Sequence, residues 1–255
     1  MVDPGSIETN ISEGIATISF FHPQSNSLPG KLLRMLAESI SKQGLNDDVS
    51  VIIIKSEGDK AFCAGASFDE LMSIDSFDQG RNFFSGFALV INAIRKAPKF
   101  VIARVHGKAV GGGVGIAAAA DYTIAQNTAD VKLSELAVGI GPFVVGPAVE
   151  RKIGTAAFSS LSINATEWQS ALWALEKGLY AEVHPDKASL DEAVLKLATR
   201  LSSSSPEAMK NLKEVFWKGT DDWDSLLMER AEMSGTLVLS EYTRSAISKF
   251  KQGAR

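Results

Sequence analysis

Three observations predict an α/β fold. Strand-like and helix-like runs alternate from residue 15 to residue 125, one β-branched run is continuous enough to be a buried strand, and two small-residue segments each follow a strand-like run. Ile15-Ala16-Thr17-Ile18-Ser19-Phe20 alternates apolar with small polar residues and reads as the first strand. Pro29 can open a helix, because its fixed φ suits a first turn, and Leu32, Leu33, Leu36 and Ile40 then recur at helical spacing until Gly44. Val49 to Lys55 is the buried strand. Phe83 to Arg95 repeats the helical pattern and is stopped by Pro98, after which Phe100 to Val105 forms another strand. Ile116 to Ala120 suits a short buried helix, with Tyr122 to Ala125 as a brief strand beyond Asp121.

From about Thr166 the strand signals fade. Three helices are expected over roughly 166–177, 189–202 and 206–217, with Pro206 starting the third. One long helix is expected from Trp223 to Lys251, and its apolar residues Leu226, Leu227, Met233, Leu237 and Phe250 need a surface to cover them. That surface is either the chain's own core or a second subunit. No fixed-period repeat is present, and Ser202 to Ser205 is the one low-complexity stretch.

Composition narrows the function classes. With 255 residues, 45% hydrophobic and 22% charged, the chain is an ordinary globular protein. A formal charge of −4 without any lysine- or arginine-rich run offers nucleic acid no field to follow. No apolar stretch is long enough to span a membrane and no leader-like N-terminus is evident, so a cytoplasmic protein is expected. Cys63 is the only cysteine, which rules out an internal disulfide, and His22, His106 and His184 lack the paired spacing of a zinc site. No metal is expected.

The chemistry is carried by two segments and one acid. Phe62-Cys63-Ala64-Gly65-Ala66-Ser67 and Gly111-Gly112-Gly113-Val114-Gly115 both put bare backbone where a side chain would block close approach to a carbonyl. Two amide N–H groups aimed at one oxygen would make an oxyanion hole, and each such donor is worth about 3–4 kcal/mol to a transition state. The alternative is that these glycines merely permit tight turns and close helix packing. Glu135 lies in the otherwise apolar Leu133-Ser134-Glu135-Leu136-Ala137-Val138. Burial there would raise its pKa toward neutrality, where a carboxylate can both take and return a proton. A solvated cap is the competing reading. Cys63 and His106 have no catalytic partner marked in the sequence and receive no role. Gly113-Val114-Gly115-Ile116-Ala117-Ala118 fits the G-x-G-x-x-A pattern of dinucleotide sites, but five residues separate the preceding strand from Gly111 and no acid closes a following one.

In this order, Ala61 to Ala66, His106-Gly107 through Gly113, and Ser134-Glu135 with Gly139 and Pro142 resemble the enoyl-CoA hydratase/isomerase, or crotonase, superfamily. The likeness runs from the Ile15 strand and Asn26-Ser27-Leu28 to Gly178-Leu179 and Ser205-Pro206. It implies a crotonase-like spiral of ββα units with an acyl-CoA site over 1–195, and a C-terminal helical trimerisation region over 196–255. A homotrimer or dimer of trimers follows from it. So does an acyl-CoA thioester substrate, whose CoA is part of the substrate, with no separate cofactor.

By position, the resemblance makes the Ala66 and Gly112 amides the donors to the thioester oxygen and Glu135 the catalytic glutamate. Ser27, Leu28, Ala64 and Phe68 would line the CoA pocket. Gly115 stands where the well-known hydratases carry a second glutamate, a departure that Asp69 or Glu70 would have to make good. Hydration of a 2-enoyl-CoA is the first expectation, because some hydratases of branched thioesters also have glycine there. The alternatives are a Δ3,Δ2-isomerase using Glu135 alone, a decarboxylase or hydrolase of the same superfamily, and a CoA-binding subunit without turnover.

Overall fold

The computed structural model describes residues 5–253, with side-chain surroundings described as far as Lys249. The chain opens with β1 (Ser6–Ser12), β2 (Ile15–Phe21), α1 (Gly30–Gly44) and β3 (Val51–Ser56). Next come α2 (Phe68–Ser73), α3 (Phe77–Lys96), β4 (Phe100–Val105), β5 (Ala109–Val110) and α4 (Gly112–Ala119). They are followed by β6 (Tyr122–Gln126), β7 (Val131–Lys132), a 3-10 turn (Leu136–Val138) and α5 (Gly146–Ile163). The remainder is α6 (Ala171–Glu176), β8 (Glu182–His184), α7 (Lys187–Ser202), α8 (Pro206–Phe216), α9 (Trp223–Leu237) and α10 (Glu241–Gly253).

Six strands form one sheet in the order β1-β2-β3-β4-β6-β8. β1 is antiparallel to β2, and every other neighbouring pair is parallel. Along Val51-Ile52-Ile53-Ile54 the side chains alternate between faces, as a pleated strand requires, and both faces are covered. Ile52 and Ile54 join the main core with Leu32, Leu36 and Ile40 of α1 and the phenylalanines of α3. Val51 and Ile53 join Ile15, Ile102 and Ile124 beneath Leu190, Val194 and Ala198 of α7. Burial on two sides is why this strand reads as an unbroken apolar run.

Several expectations need correcting. The glycines expected to precede a short helix at 116 are themselves the first turn of α4, and α3 begins at Phe77 rather than Phe83. The expected loss of strands after Thr166 is overturned by β8, which extends the sheet beside β6. The first of the three C-terminal helices shortens to α6. The single helix from Trp223 to Lys251 is two, broken at Val238 to Ser240. Ser240 starts the second piece by accepting from the Thr243 amide at 3.2 Å.

The expected division at 195/196 falls inside α7, which covers the sheet. α9 lies on α3, where a Cβ on Gly80 would meet the Gly235 carbonyl oxygen at 2.8 Å. Its Leu227 is fully buried in the main core and Leu226 packs against it, whereas Met233 is 40% exposed. Phe250 lies outside the described side chains.

Candidate active site

Because β3 and β4 are parallel neighbours, both chains leave the sheet at the same edge, where open α/β sheets place their ligand clefts. The segment after β3 and the segment after β4 are then stitched together. Cys63 pairs with Ala109, with Cys63 N donating to Lys108 O at 3.3 Å and Val110 N to Cys63 O at 2.9 Å. A Cβ placed on Gly65 would come within 3.9 Å of the Gly112 nitrogen. Small-residue segments far apart in sequence therefore abut. Among the described residues, neither the Ala66 amide nor the Gly112 amide has an acceptor within the chain.

Both residues front a cavity of about 640 Å³, within the usual range for small-molecule sites. Ser27, Ala64, Phe68 and Glu135 line it too, so six of the sequence-selected residues meet in one place. Leu28 does not: it is fully buried in the core, and its amide donates to the Gly65 carbonyl at 2.8 Å, which holds the first segment against the α1 side. Gly115 is also absent from the wall. Gly65, Asp69, Gly111, Ser134 and Pro142, which the sequence also singles out, line it as well, and the remaining wall comes from residues that it does not. Phe84 and Phe87 come from α3, Val138 to Val145 from the stretch after Glu135, Ser234 from α9, and Lys132 and Trp168 from the rim. Only the apolar run following Glu135 hints at this in the sequence.

Glu135 sits at the start of the 3-10 turn as a half-buried residue whose carboxylate oxygen Oε2 is buried. Gly111 makes this possible. Its φ of 52° and ψ of −113° are open mainly to glycine, and a Cβ there would lie 2.8 Å from Glu135 Oε1. Oε2 is buried and has no hydrogen-bond partner among the described residues. Desolvation pushes the Glu135 pKa up to about 7, opposed only by a hydrogen bond to its own backbone.

The other acids near the site do different work. Glu70 accepts from the Gly30 amide at 2.8 Å and so caps α1, while Asp69 lies in the cavity wall and accepts from Gln24 Nε2 at 2.6 Å. At position 115 a Cβ would stand 2.4 Å from Val145 Cγ1. Val145 therefore occupies the space that a second glutamate would need. Cys63 is buried and its pKa is raised to about 12, which keeps it a thiol. His106 is buried, with neither ring nitrogen partnered among the described residues, and desolvation with nearby Arg104 lowers its pKa to about 4. It does not line the cavity.

Fold and cavity together define a protein of the crotonase fold. The crystal structure of an enoyl-CoA hydratase from Bacillus halodurans matches it with a TM-score of 0.87 at 23% identity, over 95% of this chain and 99% of that one. The chain belongs to the enoyl-CoA hydratase/isomerase family, whose model matches residues 10–250. It is 28% identical to a probable enoyl-CoA hydratase of Bacillus subtilis, over 96% of this chain and 95% of that one. It is 27% identical to the human mitochondrial Δ(3,5)-Δ(2,4)-dienoyl-CoA isomerase, over 80% of this chain and 66% of the relative. Among the described residues no helix is long and apolar enough to cross a membrane.

Proposed function

We propose that this enzyme moves a proton on an enoyl-CoA thioester, with Glu135 as the carrier and the Ala66 and Gly112 amides holding the thioester oxygen as it becomes an enolate. The observation that carries this reading is the buried, unpartnered Oε2 of Glu135 beside the glycine segment. A carboxylate with a pKa near 7 is matched to taking and returning a proton at neutral pH. Ser27, Ala64 and Phe68 would hold the CoA arm along the cavity wall, and Leu28 would act through the backbone it anchors. No cofactor enters beyond the CoA of the substrate.

Two reactions use such an enolate. In isomerisation of a 3-enoyl-CoA, Glu135 removes a proton from C2 and returns it to C4 as the double bond moves into conjugation. Hydration of a 2-enoyl-CoA adds water oxygen to C3 and a proton to C2, and so needs a second group to hold the water. The hydratases among the relatives support hydration. Val145 closing the place above Gly115 favours isomerisation, which asks for one carboxylate only.

The absorbance of the conjugated thioester separates them. Loss of signal from crotonyl-CoA marks hydration, and gain from a 3-enoyl-CoA marks isomerisation. No change with either substrate, together with calorimetric binding of CoA, would leave a binding subunit instead. Against that last reading stands the energetic cost of keeping an unpaired carboxylate buried, which a mere binding pocket has no reason to bear. A homotrimer or dimer of trimers in the cytoplasm is part of the same proposal, supported by family membership and tested by sedimentation equilibrium.

A further inference from the structure

Beside Glu135, at the rim of the cavity, the chain assembles a group of side chains that the proposed proton transfer does not use. β5 and β7 form a small parallel sheet in which Val110 pairs with Lys132. Val131 also bridges antiparallel to Gln169, and that register sets Trp168 opposite Lys132. Lys108 immediately precedes β5. As a result, Lys108 Nζ stands 4.3 Å and Lys132 Nζ 4.4 Å from the centroid of the one Trp168 ring.

Two ammonium groups sharing a ring attract the ring but repel each other. Among the described residues neither forms an ion pair; Glu167 acts on Lys132 through space without reaching it. Burial and Lys108 both lower the Lys132 pKa, so this charge is held at a cost. Lys132 and Trp168 line the cavity, and the Lys132 carbonyl accepts from the Gly111 amide at 2.9 Å. The cationic pair is thus continuous with the segment carrying Gly112. Trp168 is 38% exposed and Lys108 is exposed as well, so the ammonium groups that cover the ring are reached from solvent.

We propose that Lys108, Lys132 and Trp168 form an anion subsite at the mouth of the cavity, which takes a phosphate or carboxylate group carried by the thioester ligand. The inference rests on the thioester reading above. An anion beside the two ammonium groups relieves their repulsion, while the indole beneath them holds both in place. Its two sources are a phosphate of CoA and a carboxylate at the far end of the acyl group.

The experiment compares the parent with Lys132→Met and with the Lys108→Met/Lys132→Met double variant. Four thioesters are used: crotonyl-CoA, crotonyl-pantetheine without phosphates, and the two glutaconyl counterparts with a terminal carboxylate. Losing both charges should raise KM about tenfold for the thioester that bears the recognised anion, with the effect shrinking at high salt. A rise for both CoA thioesters that vanishes for both pantetheine thioesters assigns the site to a CoA phosphate. A rise confined to the glutaconyl pair on either carrier assigns it to the acyl carboxylate. KM values unchanged for all four overturn the subsite while turnover by the parent upholds the thioester reading. If the parent turns over none of these 2-enoyl thioesters and no 3-enoyl-CoA either, the thioester reading fails, and calorimetric titration with CoA and glutaryl-CoA decides the subsite: weaker binding by the double variant supports it, and equal binding overturns it.

Discussion

Two inward-facing carboxylates, Asp121 and Glu135, show how one chemical group becomes structural in one place and reactive in another. Asp121 is surrounded by donors: the Val101 amide at 2.7 Å and Lys213 Nζ at 2.8 Å on Oδ2, and Trp217 Nε1 at 3.0 Å on Oδ1. Lys213 also donates to the Ile94 and Lys99 carbonyls at 2.8 Å each, and Arg151 lies 4.2 Å over the Trp217 ring. This network ties α8 to the start of β4. Glu135 Oε2, in contrast, receives nothing from the described residues. The donors around Asp121 fix it in the framework, whereas the unsatisfied Glu135 beside an open cavity is placed to exchange a proton near neutrality.

Substitutions at these two positions should therefore fail in opposite ways. Asp121→Asn leaves Lys213 buried without its counter-ion and should cost about 3–5 kcal/mol in urea denaturation, with the remaining folded enzyme retaining its kcat. Equal stability of variant and parent would show the network to be ornamental. Glu135→Gln should lower kcat about 100-fold or more with little change in acyl-CoA affinity. Unimpaired turnover would remove its role and erase the contrast.

Proton linkage sharpens the comparison. The Glu135 pKa is raised from 4.5 to about 7 on folding, so ionisation opposes the folded state: the penalty is absent below 4.5 and grows as pH rises through 7. Glu135→Gln should then gain about 1–3 kcal/mol of stability at alkaline pH and nothing at pH near 4, as read by thermal melts across pH. Activity runs the other way. The carboxylate must be ionised to accept a proton, so kcat/KM for isomerisation should fall about tenfold per unit below pH 7. A flat profile there would separate the titrating group from the reaction. The smallest effect is expected at Gly115→Ala, where the new methyl meets Val145 and should cost about 1–3 kcal/mol, with relief in the Gly115→Ala/Val145→Ala pair.

The sequence makes one half of this contrast visible and hides the other. Glu135 can be picked out because it interrupts an apolar run, and the alternation from β2 to β6 follows from local periodicity. Asp121 reads only as a loop residue after a short helix, since its partners on α8 are distant along the chain. The Gly115–Val145 contact and the convergence of Lys108, Lys132 and Trp168 are hidden for the same reason. α5 passes unnoticed because Gly154, at a φ of 76°, interrupts its pattern, and α9 and α10 merge in the sequence because Ser240 separates them by capping rather than by a glycine or proline. Local pattern is read easily; long-range adjacency is not.

Where α3 and α9 touch, backbone meets backbone at Gly80 and Gly235, and the next residue, Ser234, belongs to the cavity wall. The spacing of these helices thus sets how wide the cavity is on that side. A single methyl at either glycine should push the helices apart and change the room inside, without altering any atom of the lining.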